Sequence, residues 1–219
     1  MHAGSSVIEP LSVVRDLGVM IDAQLSMQEH VSRTARSCFF HLRRLRSVRA
    51  QLGRDVTANL VAALVLSRLD YCNAVLAVPA SMLAPLQRVL HAAARLVCGL
   101  RPRDHVTASL KELHWLPIRQ RIDYKLCLMV HNVSVGHAPA YLSDILKPVA
   151  AVPSRAHLRD AAEGDFVVPG SRLKLGDRAF SIAAPRAWNR LPTELKLTRS
   201  TPAFKRGLKT FLFRTAYAD

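Results

Sequence analysis

Over residues 26–52 the apolar side chains Val31, Ala35, Cys38, Leu42 and Leu45 recur at the spacing of a single helix face, flanked by Phe39. No strand register can bury that set together. At 100° per residue, Arg33, Arg36, Arg43 and Arg44 fall on the opposite side, within an arc of roughly 100°. One face of this helix is suited to a core. The other carries four guanidinium groups with only Glu29 nearby in the sequence to balance them. A solvated charged face and a phosphate-binding face are both open to such a pattern.

The rest of the chain extends the helical reading. It has 219 residues, half of them hydrophobic and only 6% aromatic. Leu, Val and Ala must therefore fill the core, which favours helices. Ahead of the arginine-bearing helix, Val13-Val14 and residues 17–21 form short β-type runs, enough for one hairpin and too few for a sheet. Behind it, Asp55 can cap a helix from Val56 to about Val78, and Ser81 one from Met82 to Cys98 closed by Gly99. Short turns between three such helices describe a small bundle. A short helix over 108–114, a long one over 118–133 and another over 139–146 follow. Residues 147–164 read as linker, and residues 166–176 as a second, minor hairpin. Residues 179–189 read as a helix interrupted at Pro185. Thr201-Pro202 opens a last amphipathic helix, with Phe204, Leu208, Phe211 and Leu212 inward and Lys205, Arg206 and Lys209 outward. The expected class is mainly α: a three-helix bundle after a β-hairpin, then a second helical region with a minor hairpin. The expected divisions are 1–25, 26–100, 101–146 and 147–219. Strands over 13–21 without sheet partners suggest a chain that starts partway through a domain.

The net charge of +15 makes nucleic acid the first partner to consider. Residues 1–100 hold eleven Arg and no Lys, and Arg suits bidentate contact with phosphate. Cys38, Cys72, Cys98 and Cys127 lie in apolar helical patterns with no CxxC pair, as free thiols in a reducing compartment would. The longest apolar run, residues 60–66, is too short to span a bilayer, and an intracellular location, nucleus or cytoplasm, is expected. Catalytic signatures are missing. Asp-Asp does not occur, and Asp16, Asp22, Asp70 and Asp104 form no recognisable metal pair. Cys98, His105 and His114 are irregularly spaced for zinc. His114 and His131 could serve as bases for Cys72 or a serine, yet no nucleophile elbow accompanies them. There is no P-loop or GxGxxG. The expectation is no cofactor, no metal and no catalytic residue.

Several segments, in order, resemble the C-terminal part of non-LTR (LINE, Jockey-like) retrotransposon reverse transcriptases. Leu17-Gly18-Val19-Met20-Ile21-Asp22 is similar to the primer-grip hairpin. His41-Leu42-Arg43-Arg44-Leu45 and Ser67-Arg68-Leu69-Asp70-Tyr71-Cys72-Asn73-Ala74-Val75-Leu76 are similar to thumb helices, and residues 86–95 to a third. Leu113-His114-Trp115-Leu116-Pro117-Ile118 with Arg121-Ile122-Asp123-Tyr124-Lys125 resembles the segment after the thumb. Residues 176–180, 184–192 and 204–210 resemble the end of the same reading frame. The fingers and the palm with its aspartate pair have no counterpart here. The resemblance thus implies reverse transcriptase ancestry without polymerisation by this chain alone. It further implies that Arg33, Arg36, Arg43 and Arg44, seconded by Lys205, Arg206 and Lys209, contact the backbone of RNA or DNA. Leu17, Gly18 and Val19 would be primer-grip-like, and a separately encoded palm and fingers part is an implied partner. Two other classes compete: a helical protein–protein interaction module, or a remnant reading frame without function, and a small enzyme built on His114 or Cys72.

Overall fold

The computed structural model describes residues 2–3, 6–7, 11–73, 79–154, 157, 159–173 and 175–218. It is mainly helical, with a short antiparallel hairpin before the first long helix, as the periodicity predicts. A pair of two-residue strands, β1 (His2–Ala3) and β2 (Ser6–Val7), precedes β3 (Val13–Asp16) and β4 (Val19–Asp22). β3 and β4 pair in the register Asp16↔Val19 to Val13↔Asp22, which leaves a two-residue turn. Both turn residues, Leu17 and Gly18, have positive φ (43° and 84°). Such a turn matches the right-handed twist of the flanking strands.

Helix α1 (Gln28–Val48) buries Val31, Ala35, Cys38, Leu42 and Leu45, the set expected from its periodicity, and adds His30. The following helix is continuous over 54–70 but changes pitch: α2 (Arg54–Val61), a π turn (Ala62–Leu66), then α3 (Ser67–Asp70). It ends earlier than expected. Tyr71 is extended and Cys72 has φ 50°, and the expected helical residues 74–78 lie outside the described ones. The stop is tertiary. Lys125 Nζ donates to the Asp70 carbonyl, and Arg121 Nη1 donates to both carboxylate oxygens of Asp70, at 3.0 and 2.8 Å. Helix α4 (Ala80–Cys98) completes the bundle against α1 and α2 and ends on Gly99 in the left-handed region.

α5 (Thr107–Glu112) leads to α6 (Ile118–Ser134), which touches α4 on one side and packs against α9 (Phe180–Trp188) and α11 (Thr201–Tyr217) on others. Between them lie α7 (Ala140–Ile145), α8 (Arg159–Ala162) and α10 (Thr193–Lys196). One buried apolar cluster runs from Val19 in the hairpin through the bundle to Trp188, Phe204 and Leu212.

Three further expectations change. The hairpin expected over 166–176 is absent among the described residues. Phe166 instead makes an isolated antiparallel bridge to Pro148, and its N–H and carbonyl are both taken by the Asn189 side chain (3.1 and 2.9 Å). An edge already occupied by an amide side chain cannot also pair with a returning strand, and Pro169 has no N–H to offer one. Residues 147–164, read as linker, contribute Val149 to the buried residues and a bond from Val149 N–H to the Asp165 carbonyl (2.9 Å). α9 runs through Pro185, its sixth residue, whose ring is buried.

Candidate nucleic-acid interface

The β3–β4 hairpin would be a marginal structure alone. Here two bonds fasten it to the bundle and a third set closes its open end. In this register Arg15 and Met20 form a non-hydrogen-bonded pair, so the Met20 N–H points away from β3. His30 Nδ1 accepts it at 3.4 Å, which places the ring proton on Nε2. Burial holds the His30 pKa below its ordinary value, so the ring stays a neutral acceptor. At the turn, the Tyr71 hydroxyl donates to the Leu17 carbonyl at 2.5 Å. At the open end, the Asp22 carboxylate accepts from the Ser26 N–H (2.7 Å), the Ser26 hydroxyl (2.9 Å) and the Gln24 N–H (3.2 Å). These bonds, led by the Ser26 N–H, lower the Asp22 pKa. They also commit Asp22 to a loop rather than to a metal.

Between the hairpin, α1 and the π-turn helix lies an open cleft of about 810 Å³. Three arginines reach it from three elements: Arg15 from β3, Arg33 from α1 and Arg68 from α3. Thr34, Ser37, Ser67 and Tyr71 add hydroxyls, and none of the described residues lining it is acidic. The π turn shapes this wall. Side chains bond main-chain carbonyls along it. Arg68 Nε donates to the Leu64 carbonyl at 3.0 Å, Ser67 Oγ to the Ala63 carbonyl at 2.5 Å and Cys38 Sγ to the Val65 carbonyl at 3.8 Å. Arg68 is thereby oriented through Nε, with its Nη groups left for an external acceptor. Gly18 forms the opposite lip. A Cβ there would lie 3.2 Å from the Tyr71 ring at a backbone angle unfavourable to any other L-residue.

Of the residues singled out in the sequence, Arg33, Leu17 and Gly18 meet in this cleft, while Val19 is a buried core residue behind it. Arg33 Nη1 lies 3.4 Å from Met20 Sδ. Arg36 does not join them. It pairs with Glu29 at 3.1 Å and lines a separate groove that Arg88 of α4 shares. Arg43 and Arg44 are exposed farther along α1, the Arg44 guanidinium 5.7 Å over the Phe40 ring. Lys205 and Arg206 are exposed on α11, and Lys209 borders a different cavity. Arg15 and Arg68 join the site without any sign in the sequence. A lone Arg in a strand and another after an apolar run carry no periodic signal, and only the hairpin's docking on α1 and α3 unites them.

Both candidate bases pack on aromatic rings. His131 is fully buried, stacked 4.1 Å from the Phe204 ring, and His114 packs 5.6 Å from Phe213. All four cysteines are free thiols; burial raises the pKa of Cys38 to about 11 and lifts that of Cys127 further. Among the described residues no group of His, Cys, Asp or Glu could hold a metal ion, and no described helix is long and apolar enough to cross a membrane.

Fold and site together define a mainly helical protein with a cationic cleft at the junction of a hairpin and a three-helix bundle. Comparison of the chain with protein-family models, curated proteins and solved structures yields no match.

Proposed function

We propose that this chain binds the sugar–phosphate backbone of RNA or DNA in the hairpin–bundle cleft, without reading base sequence. The observation that carries this is the convergence of Arg15, Arg33 and Arg68 from three elements on a hydroxyl-lined cleft with no carboxylate among its described lining residues. Guanidinium and hydroxyl donors position a backbone and carry no sequence information. Arg43 and Arg44 lie about 15 Å farther along α1, at 1.5 Å per residue. They would extend the track over further phosphates. The same reading includes descent from a LINE-type reverse transcriptase, with the chain as its thumb and C-terminal region. That part rests on the ordered resemblance of residues 13–215. It carries no polymerase activity, because paired palm aspartates are absent from the sequence. An intracellular site of action, nucleus or cytoplasm, and a separately encoded palm and fingers as partner belong to this proposal too.

The test is the salt dependence of binding to a mixed-sequence duplex, for the parent chain and for the triple variant Arg15→Ala/Arg33→Ala/Arg68→Ala. Removing three phosphate contacts should flatten the log–log salt slope by about 2.7. Base composition should matter little. An unchanged slope in the triple variant, or strong preference for one sequence, would overturn the assignment.

A further inference from the structure

A second cavity, about 440 Å³, lies on the other side of the helix end at residues 67–71: Ser67, Arg68 and Tyr71 face the arginine cleft, whereas Asp70 faces this one. Its remaining wall comes from residues 113–116, from the start of α6 and from Lys209 of α11. The wall holds Trp115 and Tyr124, and three cations, Arg121, Lys125 and Lys209, against one carboxylate, Asp70.

Trp115 is placed by its surroundings rather than by burial. α5 ends on His114 in the left-handed region (φ 52°), with the His114 N–H on the Lys111 carbonyl (3.1 Å) and the Trp115 N–H on the Leu110 carbonyl (3.0 Å). This is the two-bond helix stop that ordinarily uses glycine. The Tyr217 hydroxyl then takes the Trp115 carbonyl at 2.7 Å, and Arg121 Nε takes that of Leu116 at 2.9 Å. The indole is left half-buried on the cavity wall. Neither its N–H nor the Tyr124 hydroxyl hydrogen-bonds to the described residues. Arg121 neutralises Asp70. Lys125, one of whose ammonium protons goes to the Asp70 carbonyl, and Lys209 then leave the rim net positive.

Half-exposed aromatic rings with free polar edges beside a net positive rim match a planar base joined to a phosphate. The volume falls in the range of small-ligand pockets, roughly 300–1,000 Å³. That is far too small for a duplex. We infer that this cavity takes one unpaired nucleotide of a single strand, its base on Trp115 and Tyr124 and its phosphate toward Lys125 and Lys209. The inference rests on the nucleic-acid reading above but on none of the cleft arginines.

Trp115 supplies the readout, because the other tryptophan, Trp188, is only 1% exposed. A short single-stranded oligonucleotide should quench the Trp115 emission, and a blunt duplex should not. Trp115→Ala should weaken single-strand binding about tenfold and leave duplex binding intact. Lys209→Ala, at an exposed position that leaves folding untouched, should weaken single-strand binding severalfold. Arg33→Ala/Arg68→Ala should do the reverse. Duplex binding that depends on the cleft arginines, combined with no Trp115 quenching, overturns this inference alone. Equal losses for both substrates in Lys209→Ala do the same. Binding to neither substrate overturns both readings.

Discussion

The arginines of this chain divide into those that hold the fold and those that face outward, and their bonds decide which is which. Arg49 is of the first kind. Its Nε and Nη2 donate to the Leu96 and Val97 carbonyls (3.0 and 3.2 Å) at the end of α4, while Nη1 reaches the Leu52 carbonyl at 2.9 Å. The last carbonyls of a helix have no partner within it, and the negative end of the dipole favours a cation there. Arg95 similarly spans to the Asp104 carbonyl through Nε and Nη2. Arg15, Arg33 and Arg68 keep guanidinium donors exposed on the cleft. Arg49→Ala should therefore lower stability by about 2 kcal/mol in urea unfolding, since charge-assisted hydrogen bonds are each worth about 1.5–3 kcal/mol. Arg49→Lys should restore only part of this, because one ammonium cannot span three carbonyls. The nucleic-acid affinity of the folded variant should be unchanged.

Among the elements, the C-terminal region depends on polar contacts that periodicity cannot announce. Lys196 of α10 is buried, and its ammonium meets Asp165 at 2.5 Å, with the two side chains 2% and 16% exposed. The Trp188 indole N–H reaches the Gly164 carbonyl at 2.9 Å. Together with the Asn189 bonds to Phe166, these ties seat residues 164–166 against α9 and α10. Removing one member of a buried ion pair strands the other's charge, at a cost of about 3–5 kcal/mol. Asp165→Ala should show a loss of that size in chemical denaturation. The double substitution Asp165→Leu/Lys196→Met should recover most of it. A loss below 1 kcal/mol for Asp165→Ala would mean that the pair is solvated in solution.

For the molecule as a whole, acid should be the weak side. His30, His91 and His131 all have pKa values lowered from 6.5, each chiefly by burial. The unfolded chain then binds more protons than the folded one once pH falls through about 6.5, so stability declines below that pH and is flat in this term above it. Thermal melts at pH 7.5 and 5.5 should differ in that sense, and His131→Phe should shrink the difference. Its ring is stacked on Phe204, with Nδ1 unpartnered and Nε2 3.2 Å from the Thr201 hydroxyl. A melting temperature that rises on acidification would contradict this. At this scale the division between sequence and structure is clear. Helical spacing of Val31 to Leu45 and of Phe204 to Leu212 determined which faces are buried, because a 3.6-residue period leaves one solution for a long amphipathic segment. The Leu17-Gly18 turn was not legible: residues 17–21 read as one β-type run, and a leucine at positive φ carries no local signal. Neither cavity was legible. Arg15, Arg33 and Arg68 are distant in the chain and belong to three elements with different periods. The same holds for Asp70, Trp115 and Lys209. Only packing brings such residues together, through bonds such as Met20 to His30, Tyr71 to Leu17 and Arg121 to Asp70, whose partners are set by the meeting of elements and not by any local pattern.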